Sequence, residues 1–201
     1  RLERPHKRAL VLNNIGMEYF RIGLYNDALS YLNEALRLER QINNAHSIAA
    51  RLNNIGAVYL RQKKFSEAER VFLERKELGK RIAKTRLIHA GLTEVYIETK
   101  RYDAALALLR ELPPGWRDSR NRRLEYHTEY GMALKGKGDL RGAARELLKA
   151  VSIIEEIRKE AGDRGSFFAG GGYISRVKPY NELMAVCAEM SLRGYGPDDS
   201  L

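Results

Sequence analysis

The sequence predicts an all-α chain built as a stack of antiparallel helical hairpins. Two observations predict it: a motif that returns at nearly constant spacing, and apolar residues that recur at helical rather than alternating positions inside each copy. The stretch Leu12-Asn13-Asn14-Ile15-Gly16-Met17-Glu18-Tyr19 returns as Leu52-Asn53-Asn54-Ile55-Gly56-Ala57-Val58-Tyr59, every identity 40 positions apart. A weaker third copy runs through Leu92, Tyr96, Lys100, Tyr102, Ala105 and Leu109, and a fourth through Tyr130, Gly131, Leu134, Gly138, Leu140, Ala143, Leu147 and Ala150. The expected turn positions Gly23, Lys63, Lys100 and Gly138 follow one another at 40, 37 and 38 residues.

Each element has a residue-level reason. In the first copy Leu12, Ile15 and Tyr19 share one helical stripe, and Gly16 leaves room for a crossing helix. The second half supplies the matching surface, with Ala28 and Ala35 small and Leu32 filling between them, so helices are predicted over about 6–22 and 25–42. The second copy predicts 46–62 and 65–82, the third 85–99 and 102–112, and the fourth 120–137 and 140–160. A final helix is predicted over 178–193. Tyr25, Phe65, Tyr102 and Leu140 each open a second helix with a large apolar group placed to lock the turn against its own hairpin. Pro113-Pro114-Gly115-Trp116 is a break that no helix crosses, and Trp116 is expected to pack back on the adjacent hairpin. The glycine-rich stretch around Gly170-Gly171-Gly172 interrupts the period; it lacks the Lys-Ser/Thr ending of a phosphate-binding loop.

The repeated Leu-Asn-Asn-Ile-Gly-x-x-Tyr half followed by a small-residue half resembles the tetratricopeptide-repeat (TPR) family. That resemblance implies a right-handed α-solenoid of TPR helix hairpins in a single domain, 1–201. The hairpins are expected at about 9–42, 49–82, 86–114 and 124–160, with an irregular insert near 161–177 and an unpaired final helix near 178–193. It also implies a protein-protein interaction module that binds an extended peptide in a concave groove lined by the first helix of every hairpin. The groove residues so implied are Asn13, Asn14, Met17, Phe20 and Arg21 in the first unit, and Asn53, Asn54, Ala57, Leu60 and Arg61 in the second. The third contributes Ala90, Gly91, Glu94, Ile97 and Glu98, and the fourth Glu125, Thr128, Glu129, Met132 and Lys135.

The paired asparagines are the most specific part of this expectation. An amide offers both a donor and an acceptor, so Asn14 and Asn54 suit the backbone of an extended peptide whatever its sequence. Arg21 and Arg61 would make one end of the groove basic, and Glu94, Glu98, Glu125 and Glu129 the other acidic, which would orient a partner of mixed charge. Leu10, Leu87 and Gly91 stand where chaperone-tail TPR proteins carry lysine and arginine, which points away from capture of a terminal carboxylate.

Composition narrows the alternatives. A hydrophobic share of 44% with 31% charged residues suits amphipathic helices rather than a disordered chain. The net charge of +10 favours acidic partners. A second reading is therefore nucleic-acid binding through Arg117, Arg120, Arg122 and Arg123. Cys187 is the lone cysteine, which excludes an internal disulfide and fits a reducing, cytoplasmic setting; it reads as a small apolar filler. The histidines are scattered, with His89 and His127 expected as half-buried packing residues, so no metal, cofactor or catalytic set is expected and the chain does not read as an enzyme. No run of about 18 apolar residues suggests a membrane span. Self-association through the unpaired last helix is a further expectation. Finally, Arg164-Gly165-Ser166-Phe167 with Tyr180-Asn181-Glu182-Leu183 resembles the helical segment that precedes caspase-like CHAT domains, which implies a regulatory part of a larger protein.

Overall fold

The computed structural model describes residues 3–81, 91–112, 119–161 and 177–195, and among these every regular element is an α-helix. The chain forms two compact units, Arg1–Thr99 and Lys100–Leu201.

The first unit holds α1 (Glu3–Arg21), α2 (Tyr25–Gln41), α3 (Ala45–Arg61), α4 (Phe65–Arg81) and α5 (Leu92–Glu98). α1 pairs with α2 and α3 with α4, and the hairpins join where α2 lies against α3. Their shared seam is Ala28, Leu32 and Leu36 of α2 against Ile48, Leu52, Ile55 and Val58 of α3, with Val71 of α4 behind. Fully burying a leucine or isoleucine is worth about 1.5–3 kcal/mol, so this one seam carries much of the unit's stability.

The glycines of the repeat are required by contact distance. A β-carbon on Gly16 would stand 2.9 Å from Leu32 Cγ and 3.1 Å from the Ala28 carbonyl oxygen, and one on Gly56 would stand 2.5 Å from the Phe72 ring. Phe72 replaces the leucine of the first repeat, and its larger ring needs a second vacancy. Gly91 provides it, since a β-carbon there would lie 2.1 Å from Phe72 Cζ.

Turn chemistry repeats as well. Gly23, Lys63 and Lys100 have φ of 82°, 57° and 59° in the left-handed region. After α1 the Leu24 N–H reaches the Tyr19 carbonyl at 2.9 Å and Gly23 reaches Phe20 at 3.1 Å; after α3, Lys64 and Lys63 repeat this on Tyr59 and Leu60, each at 2.9 Å. This is the Schellman closure, in which two backbone bonds satisfy carbonyls that the ending helix would leave open. Asn43, with φ 55°, closes α2 the same way, and the Asn44 side chain then caps α3 by accepting from Ser47 N–H at 3.2 Å.

The second unit holds α6 (Tyr102–Arg110), α7 (Arg120–Gly136), α8 (Leu140–Ala161) and α9 (Lys178–Leu192). α7 and α8 repeat the crossing of the first hairpin: a β-carbon on Gly131 would stand 2.7 Å from Leu147 Cγ and 3.1 Å from the Ala143 carbonyl oxygen. Gly138 (φ 85°) turns the chain between them. α9 packs Val186 and Met190 onto Leu140, Ala143, Ala144 and Leu147 of α8, so it covers α8 as the first helix of another hairpin would.

Three sequence expectations change. The helix expected over 85–99 begins at Leu92, because Gly91 has φ 84°, outside the helical region. Ile15 is 37% exposed while its counterpart Ile55 is buried, because α3 has α2 beside it and α1 has no such neighbour among the described residues. Cys187 is exposed on α9 rather than filling a core. Residues 113–118 and most of the 161–177 insert, with Trp116 and the glycine triplet, lie outside the described residues.

Candidate functional site

In the first unit the structure brings the repeated asparagines together. α1 and α3 both carry the Leu-Asn-Asn-Ile-Gly turn of helix, and their packing places Asn54 Nδ2 within 2.8 Å of Asn13 Oδ1. Asn13 Nδ2 in turn donates to Asn14 Oδ1 at 3.3 Å. The amides thus form a directed relay from Asn54 through Asn13 to Asn14. Asn13 is buried, Asn54 and Asn53 are half-buried, and Asn14 is exposed. Asn13 therefore faces its neighbours, and beyond the relay the Asn54 carbonyl oxygen and the Asn14 amide N–H groups have no hydrogen-bond partner among the described residues.

Around this relay Met17 packs on the core seam, Arg21 is exposed and pairs with Glu18 at 3.1 Å, and Arg61 is exposed at the end of α3. Glu98 is exposed and Glu94 half-buried on α5. In the second unit Glu129 is half-buried on α7, and Lys135 holds Glu182 of α9 at 3.0 Å. Ala90 and Leu87 lie outside the described residues.

Two ion clusters were not foreseen. Glu39 of α2 is fully buried, with His6 Nδ1 of α1 at 3.0 Å and the Arg51 guanidinium of α3 at 3.5 Å. Burial pulls the Arg51 pKa below its ordinary value, and Glu39 works against that shift. The sequence did carry a signal: Glu39 continues the buried Leu32, Ala35 and Leu36 spacing of α2, where a lone charge requires a partner. In the second unit Glu146 accepts from His127 Nδ1 at 2.7 Å and from Lys149 Nζ at 2.8 Å. Its carboxyl pKa is held down to about 2, chiefly by the His127 hydrogen bond. His127 is half-buried as the sequence suggests, its ring edge-on to Tyr126 with centroids 5.2 Å apart, and its Nδ1 in addition bonds the Glu146 carboxylate.

The basic cluster is partly engaged within the fold. Arg120 pairs with Glu160, Arg123 is half-buried with its Nε enclosed, Arg122 has a partner of its own, and Arg117 lies outside the described residues. Of the CHAT-like residues, 164–167 lie outside the described residues. Tyr180 is half-buried, and its hydroxyl donates to Glu155. Burial and that carboxylate push the Tyr180 pKa to about 12. On α9, Met184 and Leu192 are 69% and 89% exposed. Among the described residues no three His, Cys, Asp or Glu side chains gather as a metal site, and no helix is long and apolar enough to cross a membrane.

The tetratricopeptide-repeat family model matches residues 7–81, the stretch that contains both asparagine segments and both complete hairpins of the first unit. Over these residues the chain is similar to tetratricopeptide repeats. No curated protein matches the chain. Among solved structures, the nearly identical TPR-like repeats of a candidate kinesin light chain from Podosopora anserina superpose with a TM-score of 0.67 at 16% identity, covering 94% of this chain and 89% of that one. MamA from Desulfovibrio magneticus RS-1, from residue 41 onward, gives 0.58 at 19% identity over 94% and 98%. YrrB, described as a TPR protein with an unusual peptide-binding site, gives 0.52 at 17% over 92% and 89%. At these identities the likeness shows the fold, an α-solenoid of TPR hairpins. The repeats and this fold together support a protein-interaction module.

Proposed function

We propose that the TPR segment binds an extended peptide or partner segment across α1 and α3, with Asn14 and Asn54 bonding its backbone. The observation that carries the reading is the asparagine relay. Asn13 uses its own amide to orient the other two, which leaves a donor on Asn14 and an acceptor on Asn54 uncommitted among the described residues, the complement of a peptide unit. Asn13 is on this reading a positioning residue, and Asn53 and Met17 border the contact. Arg21 and Arg61 favour an acidic partner residue at their end of the surface. Glu94 and Glu98 favour a basic one beside α5, and Glu129 does the same in the second unit.

The test is binding of partners captured by the intact chain, compared with the Asn14→Ala/Asn54→Ala double variant. Two neutral hydrogen bonds are worth about 1–3 kcal/mol together, so affinity should fall about 5- to 150-fold; the variant also strips the buried Asn13 amide of both its partners, so the melting temperature should drop modestly while the chain stays folded. Unaltered affinity in a folded double variant would refute the reading. Binding that instead disappears on replacing Arg120, Arg122 and Arg123 and falls steeply with salt would point to nucleic acid.

A further inference from the structure

The second unit contains a cleft of about 400 Å³ between α6, α7 and the start of α8. Arg110 closes it from the end of α6, Tyr130 and Leu134 form its apolar floor on α7, and Arg145, Glu146 and Lys149 line it on α8. We propose that this cleft is a second recognition site, which takes a carboxylate side chain from an acidic segment of a protein partner between Arg110 and Arg145.

The charges of the cleft are unequally committed. Its two carboxylates are already used within the protein: Asp139 Oδ1 accepts the Gly142 N–H at 2.8 Å and so caps α8, while Glu146 is held by His127 and Lys149. Arg110 and Arg145 are both exposed and have no acidic partner among the described residues. The Tyr130 hydroxyl likewise has no hydrogen-bond partner among them, although its ring packs on Tyr126 with centroids 5.5 Å apart. Two unpaired guanidinium groups on one small cleft repel each other until an anion joins them, and their planar forks match a carboxylate. The volume lies within the range of built ligand sites, and the Leu134 and Tyr130 surfaces suit the methylene stem of a glutamate.

The same arrangement argues against a polyphosphate chain. Asp139 and Glu146 interrupt the cations, so a single carboxylate fits between the arginines whereas a continuous run of phosphates would meet both fixed negative charges. The site is independent of the asparagine surface of the first unit.

The experiment measures fluorescence anisotropy of a labelled glutamate-rich dodecapeptide, its glutamine counterpart and a single-stranded oligonucleotide against the full chain at about 50 and 150 mM salt. The acidic peptide should bind at least about tenfold more tightly than the glutamine peptide, and Arg110→Gln/Arg145→Gln should remove that difference. Lys159→Gln, an exposed cation elsewhere on α8, and Asn14→Ala/Asn54→Ala should leave it intact. The proposal is overturned if acidic and neutral peptides bind alike, if the arginine variant keeps the preference, or if the oligonucleotide binds more tightly through the same two arginines. Both arginines are exposed, so the variants should melt with the unmodified protein, which keeps loss of binding separate from loss of fold.

Discussion

Adding one methyl group at each of the three crossing glycines tests the packing that holds the hairpins together. On Gly16 the new carbon would meet Leu32 Cγ at 2.9 Å and the Ala28 carbonyl oxygen at 3.1 Å, and on Gly131 it would meet Leu147 Cγ at 2.7 Å and the Ala143 carbonyl oxygen at 3.1 Å. In each pair the second atom is backbone, and both leucines are fully buried, so neither helix can give way by a simple rotamer change. Overpacking costs about 1–3 kcal/mol, while alanine recovers about 1 kcal/mol of helix propensity over glycine. The balance is a loss of about 0–2 kcal/mol for Gly16→Ala and Gly131→Ala. Gly56→Ala should lie at the top of that range or above it, because the methyl would press on Phe72 ring carbons at 2.5 Å and the ring is already held against Gly91. Thermal unfolding followed by circular dichroism reads the series, at about 2–4 °C per kcal/mol for a chain of this size. Ser30→Ala, exposed on α2, is the control and should change little. If all three glycine variants melted higher than the unmodified protein, propensity alone would be acting and the close crossings would be wrong.

Two further predictions concern charge. Because the Glu146 carboxyl is held at about 2 rather than 4.5, its stabilisation is complete above about pH 4.5 and is lost as pH falls from there towards 2. Glu146→Gln should therefore flatten the melting-temperature profile across that window by the equivalent of about 1–2 kcal/mol after solvent screening, and parallel profiles would count against the His127 pairing. Glu39→Leu should cost about 3–5 kcal/mol in urea unfolding by leaving Arg51 buried and uncompensated, whereas adding Arg51→Met should restore most of that loss.

The helices were legible because their residues act locally. The left-handed turns at Gly23, Lys63, Lys100 and Gly138, and the large residues Tyr25, Phe65, Tyr102 and Leu140 that open the second helices, stand where the period put them. What the period could not show was which polar groups would meet across helices. Asn13 and Asn54 are 41 residues apart, and only the packing of α1 on α3 turns two repeated asparagines into a relay. His6, Glu39 and Arg51 come from three helices, and the α6–α8 cleft draws on residues from Arg110 to Lys149. Gly91 reads on the sequence as part of a helix, and only the Phe72 ring gives it another purpose.

The carboxylate enclosed between the first three helices bears on how the array comes apart. In stacked repeats each hairpin contacts only its immediate neighbours, so a helix held by apolar contact alone can open by itself. Peeling α1 from α2 would strip Glu39 of its imidazole and leave a buried carboxylate half satisfied beside Arg51, so the opening would cost more than the apolar contact it breaks. Amide exchange in α1 should accordingly slow towards the rate of α2 and α3, so that the three helices open together.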